Sequence, residues 1–206
     1  MGSGLCRPKA KPLQLKPQEL ELLLKTTEFN RGKIEEWFRL FQKSCPDMRM
    51  NSKQFYLAYR NLLPEQFDEG VSFDKARAYI DLVFKAFDKD EGGGLDFIEF
   101  LHFLNVISNG SPDEKLAASF DLLDQDRSGR ITRAELEKVL KAMITMHTGA
   151  VTPRSAQTTA KTLLQKLDSD NDDKISKDEF IKVIVSDSNL YSLLVENKAS
   201  ALQDYI

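Results

Sequence analysis

The sequence predicts an all-α fold: four helix–loop–helix units in two paired lobes, with short β contacts between loops and a further helix at each end. Three observations carry this. A twelve-residue pattern of oxygen-bearing side chains starts at Asp88, Asp124 and Asp168, with a degenerate copy from Lys43. Apolar residues at helical spacing flank every copy. Successive copies are separated by long, short and long intervals, which pairs 43 with 88 and 124 with 168.

In chain order, residues 1–16 read as a flexible terminus, 17–109 as the N-terminal lobe, 110–187 as the C-terminal lobe and 188–206 as a final helix. Pro17 opens a short amphipathic helix over 18–24, because its fixed φ and missing N–H suit the first helical position. Helices leading into the loops are expected over about 30–42, 74–87, 113–123 and 155–167. Those leading out are expected over about 52–62, 97–107, 133–146 and 177–185. Gly110-Ser111-Pro112-Asp113 is the joint between lobes, where glycine ends one helix and Ser or Asp caps the next. His147 to Pro153 reads as a looser connection. The loops pair at position 8, Met50 with Leu95 and Ile131 with Ile175.

The loop at 168 is the fullest. Asp168, Asp170, Asp172, Ser176 and Glu179 place side-chain oxygens at positions 1, 3, 5, 9 and 12, and Lys174 offers its backbone carbonyl at position 7. A hard divalent cation needs this set: several carboxylates from one tight turn, a carbonyl, and a glutamate able to bind through both oxygens. A merely solvated acidic loop would require neither the alternation nor an apolar Ile175 at position 8. The loop at 124 repeats it with Asp126, Ser128, Arg130 (carbonyl), Thr132 and Glu135, and has Gly129 at position 6 where φ turns positive. The loop at 88 offers Asp90, Gly94 (carbonyl), Asp96 and Glu99, but Gly92 supplies no oxygen at position 5. Ca2+ is expected at 124 and 168, and more weakly at 88. The terminal glutamates favour calcium's seven-ligand shell over magnesium. The copy at 43 is not a site: Lys43, Cys45, Met48 and Gln54 stand at positions 1, 3, 6 and 12.

Composition is that of an ordinary globular chain, with 206 residues, net charge −3, 41% hydrophobic and 30% charged residues. Nothing in that balance suggests nucleic acid, and no apolar run is long enough to span a bilayer. Two cysteines, Cys6 and Cys45, give no disulfide framework, so a cytoplasmic setting is expected. Catalysis is not expected, since His102 and His147 sit apart without a nucleophile or carboxylate constellation.

Thr27-Glu28-Phe29, then Ile34, Trp37-Phe38 and Phe41 leading into Lys43-Ser44-Cys45-Pro46, resemble the disabled first hand of the neuronal calcium sensor family, the EF-hand group of recoverin, frequenin and the guanylate cyclase-activating proteins. Leu62-Leu63-Pro64, Asp113-Glu114-Lys115-Leu116 and Ile131-Thr132-Arg133 add to the likeness, which runs from about residue 15 to the C-terminus. Met48, Gly92 and Asp173 depart from the family pattern. The resemblance implies a calcium sensor whose N-terminal lobe exposes an apolar groove to a helix of a membrane-associated enzyme or channel. By the same likeness Trp37, Phe38, Phe55, Tyr59 and Phe84 would line that groove, core packing being the alternative for each. Met143 and Met146 read as C-terminal core.

Gly2 stands where N-myristoylation occurs, and Cys6 is a candidate second lipid site; Met1-Gly2-Ser3-Gly4 also fits an expression-vector remnant. With lipid, the protein would associate reversibly with membranes. A calcineurin B-like constitutive subunit and a calcium buffer are the other readings, the final helix is expected to cover the groove, and monomer and dimer stay open.

Overall fold

A computed structural model describes residues 14–64, 71–148, 153–187 and 191. Among these the helices are α1 (Pro17–Thr26), α2 (Arg31–Ser44), α3 (Ser52–Leu62), α4 (Phe73–Phe87), α5 (Phe97–Asn109), α6 (Pro112–Leu123), α7 (Arg133–Thr148), α8 (Pro153–Leu167) and α9 (Lys177–Ser186). The described strands, β1 (Arg130–Thr132) and β2 (Lys174–Ser176), pair antiparallel with Ile131 opposite Ile175. In the N-terminal half the same contact is one bridge: the Met50 N–H donates to the Leu95 carbonyl at 2.8 Å, and the Leu95 N–H to the Met50 carbonyl at 3.0 Å. Both pairings fall at position 8, as expected. Met50, Leu95, Ile131 and Ile175 are all buried, so the bridge residues anchor each pair of loops to a core.

Local chemistry explains the boundaries. Ser111 caps α6, accepting from the Glu114 N–H while the Glu114 carboxylate accepts from the Ser111 N–H, and Pro112 fills the first helical position. Gly110 closes α5, where a Cβ would lie 2.4 Å from the Val106 carbonyl oxygen. Most boundaries differ from expectation by a residue or two: α1 runs to Thr26 and not 24, α5 to Asn109 and not 107, and α8 begins at Pro153 and not 155. Helix α2 runs through Ser44, consuming the first two positions of the degenerate loop, and α7 runs through Thr148 rather than ending at 146. The predicted final helix over 188–206 lies outside the described residues, apart from Tyr191.

The N-terminal core is aromatic. Phe55 meets Phe103 edge-on at 4.8 Å, Phe87 meets Phe103 at 5.1 Å, and Phe38 and Phe41 close on Phe97 at 5.0 and 5.6 Å. Leu20 and Leu23 of α1 enter the same cluster. Buried Asn105 accepts from the Glu28 N–H at 2.9 Å, tying the α1–α2 connection to α5 and satisfying both polar groups. The C-terminal core is aliphatic around one aromatic pair, Phe120 and Phe180, 5.7 Å apart.

Helix α7 links the halves. Val139 and Ala142 pack on Leu82 of α4, with Met143 alongside. At 1.5 Å per residue this sixteen-residue helix spans about 24 Å, enough to carry its end onto the other lobe. Met146, expected in the C-terminal core, is accordingly buried in the N-terminal cluster.

Candidate metal centres

In each acidic loop, positions 9 and 12 are also the N-cap and third residue of the outgoing helix. Asp96 and Glu99 form such a capping box at the start of α5, and Ser176 and Glu179 form one at α9. Residue types demanded by helix initiation therefore place the terminal glutamate over its own loop.

The same hydrogen bonds recur in all three. One oxygen of Glu99 accepts from the N–H groups of Lys89 (2.8 Å) and Asp90 (3.2 Å), and the other from Asp96 (2.9 Å). Glu135 accepts likewise from Gln125 and Asp126, and from Thr132 through both its N–H and its hydroxyl. Glu179 accepts from Ser169, Asp170 and Ser176. The first aspartate of each loop accepts from the N–H groups at positions 5 and 6: Asp88 from Gly92 and Gly93, Asp124 from Ser128 and Gly129, Asp168 from Asp172 and Asp173.

Carboxylate oxygens converge within 4.8 Å of one another in three groups: Asp88, Asp90 and Glu99; Asp124, Asp126 and Glu135; Asp168, Asp170 and Asp172. Hard oxygens in this number, with no nitrogen or sulfur donor among them, fit Ca2+. Backbone geometry supports the fit. Position 6 has positive φ in every loop (Met48 59°, Gly93 72°, Gly129 79°, Asp173 62°). Position 4 does too in the acidic loops, at Glu91, Arg127 and Asn171, which residue types alone do not announce. Pro46 occupies position 4 of the degenerate loop and cannot adopt that φ, consistent with α2 running on into the loop.

Electrostatics separate the groups. Burial holds Asp124 above the usual carboxylate range, against the N–H groups of Gly129 and Ser128. The Ser128 hydroxyl and N–H hold Asp126 below it. Partial desolvation within its loop raises Asp170, helped by the charges of Asp172, Glu179 and Asp168. Glu179 is drawn down to about 2, first by the Ser176 hydroxyl and then by the N–H groups of Ser176 and Ser169. Asp90 is lowered chiefly by a hydrogen bond from Arg49.

The degenerate loop closes differently. Gln54 accepts from the Asn51 N–H at 2.9 Å and donates to the Ser44 carbonyl at 2.9 Å. Buried Cys45 has its thiol pushed up to about 11 by burial and by Asp47, the opposite of a metal-ready thiolate. Two arginines acquire roles that the loop pattern does not give them. Arg49 reaches across to Asp90 and to the Gly94 carbonyl. Arg127, from the 124 loop, donates to the carbonyls of Lys85 (3.2 Å), Asp88 (2.5 Å) and Lys89 (3.3 Å) at the C-terminus of α4, where a cation suits the helix dipole.

The groove candidates lie inside the N-terminal lobe. Phe55 is fully enclosed, and Phe38, Tyr59 and Phe84 are no more than 8% exposed. Trp37 is half-buried, and its indole N–H finds no acceptor among the described residues. Gly2 and Cys6 lie outside the described residues. No described helix is long and apolar enough to cross a membrane.

Comparison with known proteins agrees with this geometry. Residues 113–185 match the EF-hand domain pair. The chain is 31% identical to neuronal calcium sensor 1 of Lymnaea stagnalis over 185 residues, covering 88% of this chain and 93% of that protein. It is 30% identical to S-modulin of Aquarana catesbeiana over 186 residues (87% and 88%) and 28% identical to human recoverin over 186 residues (87% and 89%). The chain is a calcium-binding member of the neuronal calcium sensor family of EF-hand proteins.

Proposed function

We propose that this calcium sensor is a switch whose N-terminal lobe opens an apolar groove for a helix of a membrane-associated enzyme or channel. The assigned ligands are Asp88, Asp90, the Gly94 carbonyl, Asp96 and Glu99 in one loop. Asp124, Asp126, Ser128, the Arg130 carbonyl, Thr132 and Glu135 serve the next, and Asp168, Asp170, Asp172, the Lys174 carbonyl, Ser176 and Glu179 the last. Bound Ca2+ supplies a divalent positive centre for carboxylates that otherwise repel one another. The chain's own contribution is mechanical. Each terminal glutamate is the third residue of its outgoing helix, so a shift of its carboxylate is passed to the helix axis.

The observation that carries the reading is the enclosure of Phe38, Phe55, Tyr59 and Phe84, which a target helix reaches only if the lobe rearranges. A constitutive subunit would keep that surface available. Trp37 is the chain's one tryptophan and reports on the lobe directly. A calcium titration should shift its emission and, in parallel, cause retention on an apolar resin. Full metal loading with neither change would reduce the protein to a buffer.

For Gly2 and Cys6, lipid attachment and reversible membrane association of a cytoplasmic protein are part of the proposal. Co-expression with an N-myristoyltransferase should add one acyl mass, lost in Gly2→Ala.

A further inference from the structure

We infer that Arg49, from the loop that binds no metal, acts as a built-in cation for the neighbouring 88–99 loop, and that Ca2+ binds there only by displacing it. The inference rests on reading 88–99 as a calcium site. The Arg49 guanidinium donates to the Gly94 carbonyl at 2.8 Å and straddles the Asp90 carboxylate at 3.3 and 3.0 Å. These are the position 7 and position 3 ligands of that loop. One guanidinium thus occupies two oxygens that a metal would need to share, so the two cations exclude each other.

Gly92 completes the fit. A Cβ at this position would lie 2.3 Å from Arg49 Nη1, so any side chain at position 5 collides with the guanidinium where it now sits. The 124 loop shows what position 5 does when it has a side chain: the Ser128 hydroxyl donates to the Arg130 carbonyl at 3.0 Å. In the 88 loop the donor to the position 7 carbonyl is Arg49 instead. The missing ligand and the intruding arginine are one adaptation. The partner lobe has a related contact, in which Arg130 pairs with Asp172, but there the leading loop keeps its own carboxylates. Only in the N-terminal lobe does a loop without ligands of its own lend its positive charge to its neighbour.

Arg49 is half-exposed, which bounds the effect: one charge about 4 Å from a divalent ion in water is worth roughly thirtyfold in affinity, and the guanidinium's freedom to swing into solvent reduces this to roughly five- to tenfold. The test is calcium calorimetry on the full chain carrying Arg49→Ala, Glu99→Gln or both, together with thermal unfolding in chelator. Arg49→Ala should tighten the Glu99-dependent site by that factor while lowering the calcium-free melting temperature, because the loop carboxylates lose their counter-charge. Arg49→Lys, which keeps the charge but not the fork, should fall between. A merely structural arginine would weaken both calcium binding and calcium-free stability, and that result overturns the inference. So does a Glu99-dependent site whose affinity ignores Arg49, an outcome that leaves the site itself standing. If Glu99→Gln changes nothing in either background, the assignment of 88–99 as a site fails, and the inference with it.

Discussion

In the C-terminal lobe two acidic loops face each other across a three-residue ladder, and both close through a glutamate that accepts backbone N–H groups from the start of its loop. In the N-terminal lobe one such loop faces a neighbour that closes through Gln54, across a single bridge. The difference follows from where the incoming helix stops. Helices α6 and α8 end at the residue before their loops, so the N–H at position 2 lies outside the helix and meets a carboxylate. Helix α2 continues through Ser44, and what that position offers Gln54 is a last-turn carbonyl in need of a donor. A carboxylate cannot donate; an amide does both. The degenerate loop is therefore closed by its own hydrogen bonds, whereas the acidic loops gather charge that calls for a cation.

The largest effect should come from breaking the acidic closure. Glu135→Gln and Glu179→Gln should each remove one calcium from the calorimetric stoichiometry, weakening that site by about 100-fold or more through loss of the bidentate carboxylate. Retention of full stoichiometry by either variant would delete its loop from the metal sites. Glu179 also carries a pH signature in the calcium-free protein. Its folded carboxyl lies near 2 against an ordinary 4.5. Its contribution to stability is thus complete above about pH 4.5 and lost as pH falls toward 2. Unfolding curves across that window should flatten in Glu179→Gln, and an unchanged slope would show that the Ser176 and Ser169 contacts do not hold in solution.

Converting the other closure is the sharper comparison. Gln54→Glu gives the degenerate loop the terminal residue of the three acidic loops, yet it should create no fourth site, because Lys43 and Cys45 still occupy positions 1 and 3. It should instead lower stability by about 1 kcal/mol, since a carboxylate then faces the Ser44 carbonyl. A gained calcium equivalent would mean that α2 can retreat and the loop can reopen.

How much of this was legible in the sequence follows the same division. The acidic loops and their position 8 pairing could be read directly, because a hard cation and a capping box each demand particular residue types at fixed spacing, and here the two demands coincide at Asp96–Glu99 and Ser176–Glu179. The fold class came with them. Arg49 and Arg127 could not be read, since their partners lie about forty residues away and a flexible guanidinium declares no direction. Nor could Met146, whose lobe is decided by the length of α7 and not by its spacing within it. The groove candidates were recognisable as apolar, but periodicity does not distinguish a residue that is always core from one that is core only while the lobe is shut.

The smallest test concerns backbone strain at position 6, where both lobes hold a non-glycine residue in the left-handed region. Asp173 (φ 62°) is exposed, and its N–H bond to Asp168 survives substitution by glycine. Asp173→Gly should therefore stabilise the calcium-free C-terminal lobe by about 0.5 kcal/mol, the relief of strain being partly offset by glycine's greater freedom when unfolded. Met48 (φ 59°) is more strained, because aspartate tolerates this region better, but its side chain is half-buried against the N-terminal aromatic cluster. Relief of about 1 kcal/mol is then cancelled by about as much lost packing, and Met48→Gly should leave stability nearly unchanged. Denaturant titrations of the two variants in chelator measure the difference. If both stabilise equally, Met48 contributes no packing. If Asp173→Gly destabilises, its carboxylate has a role in the loop that its contacts do not reveal.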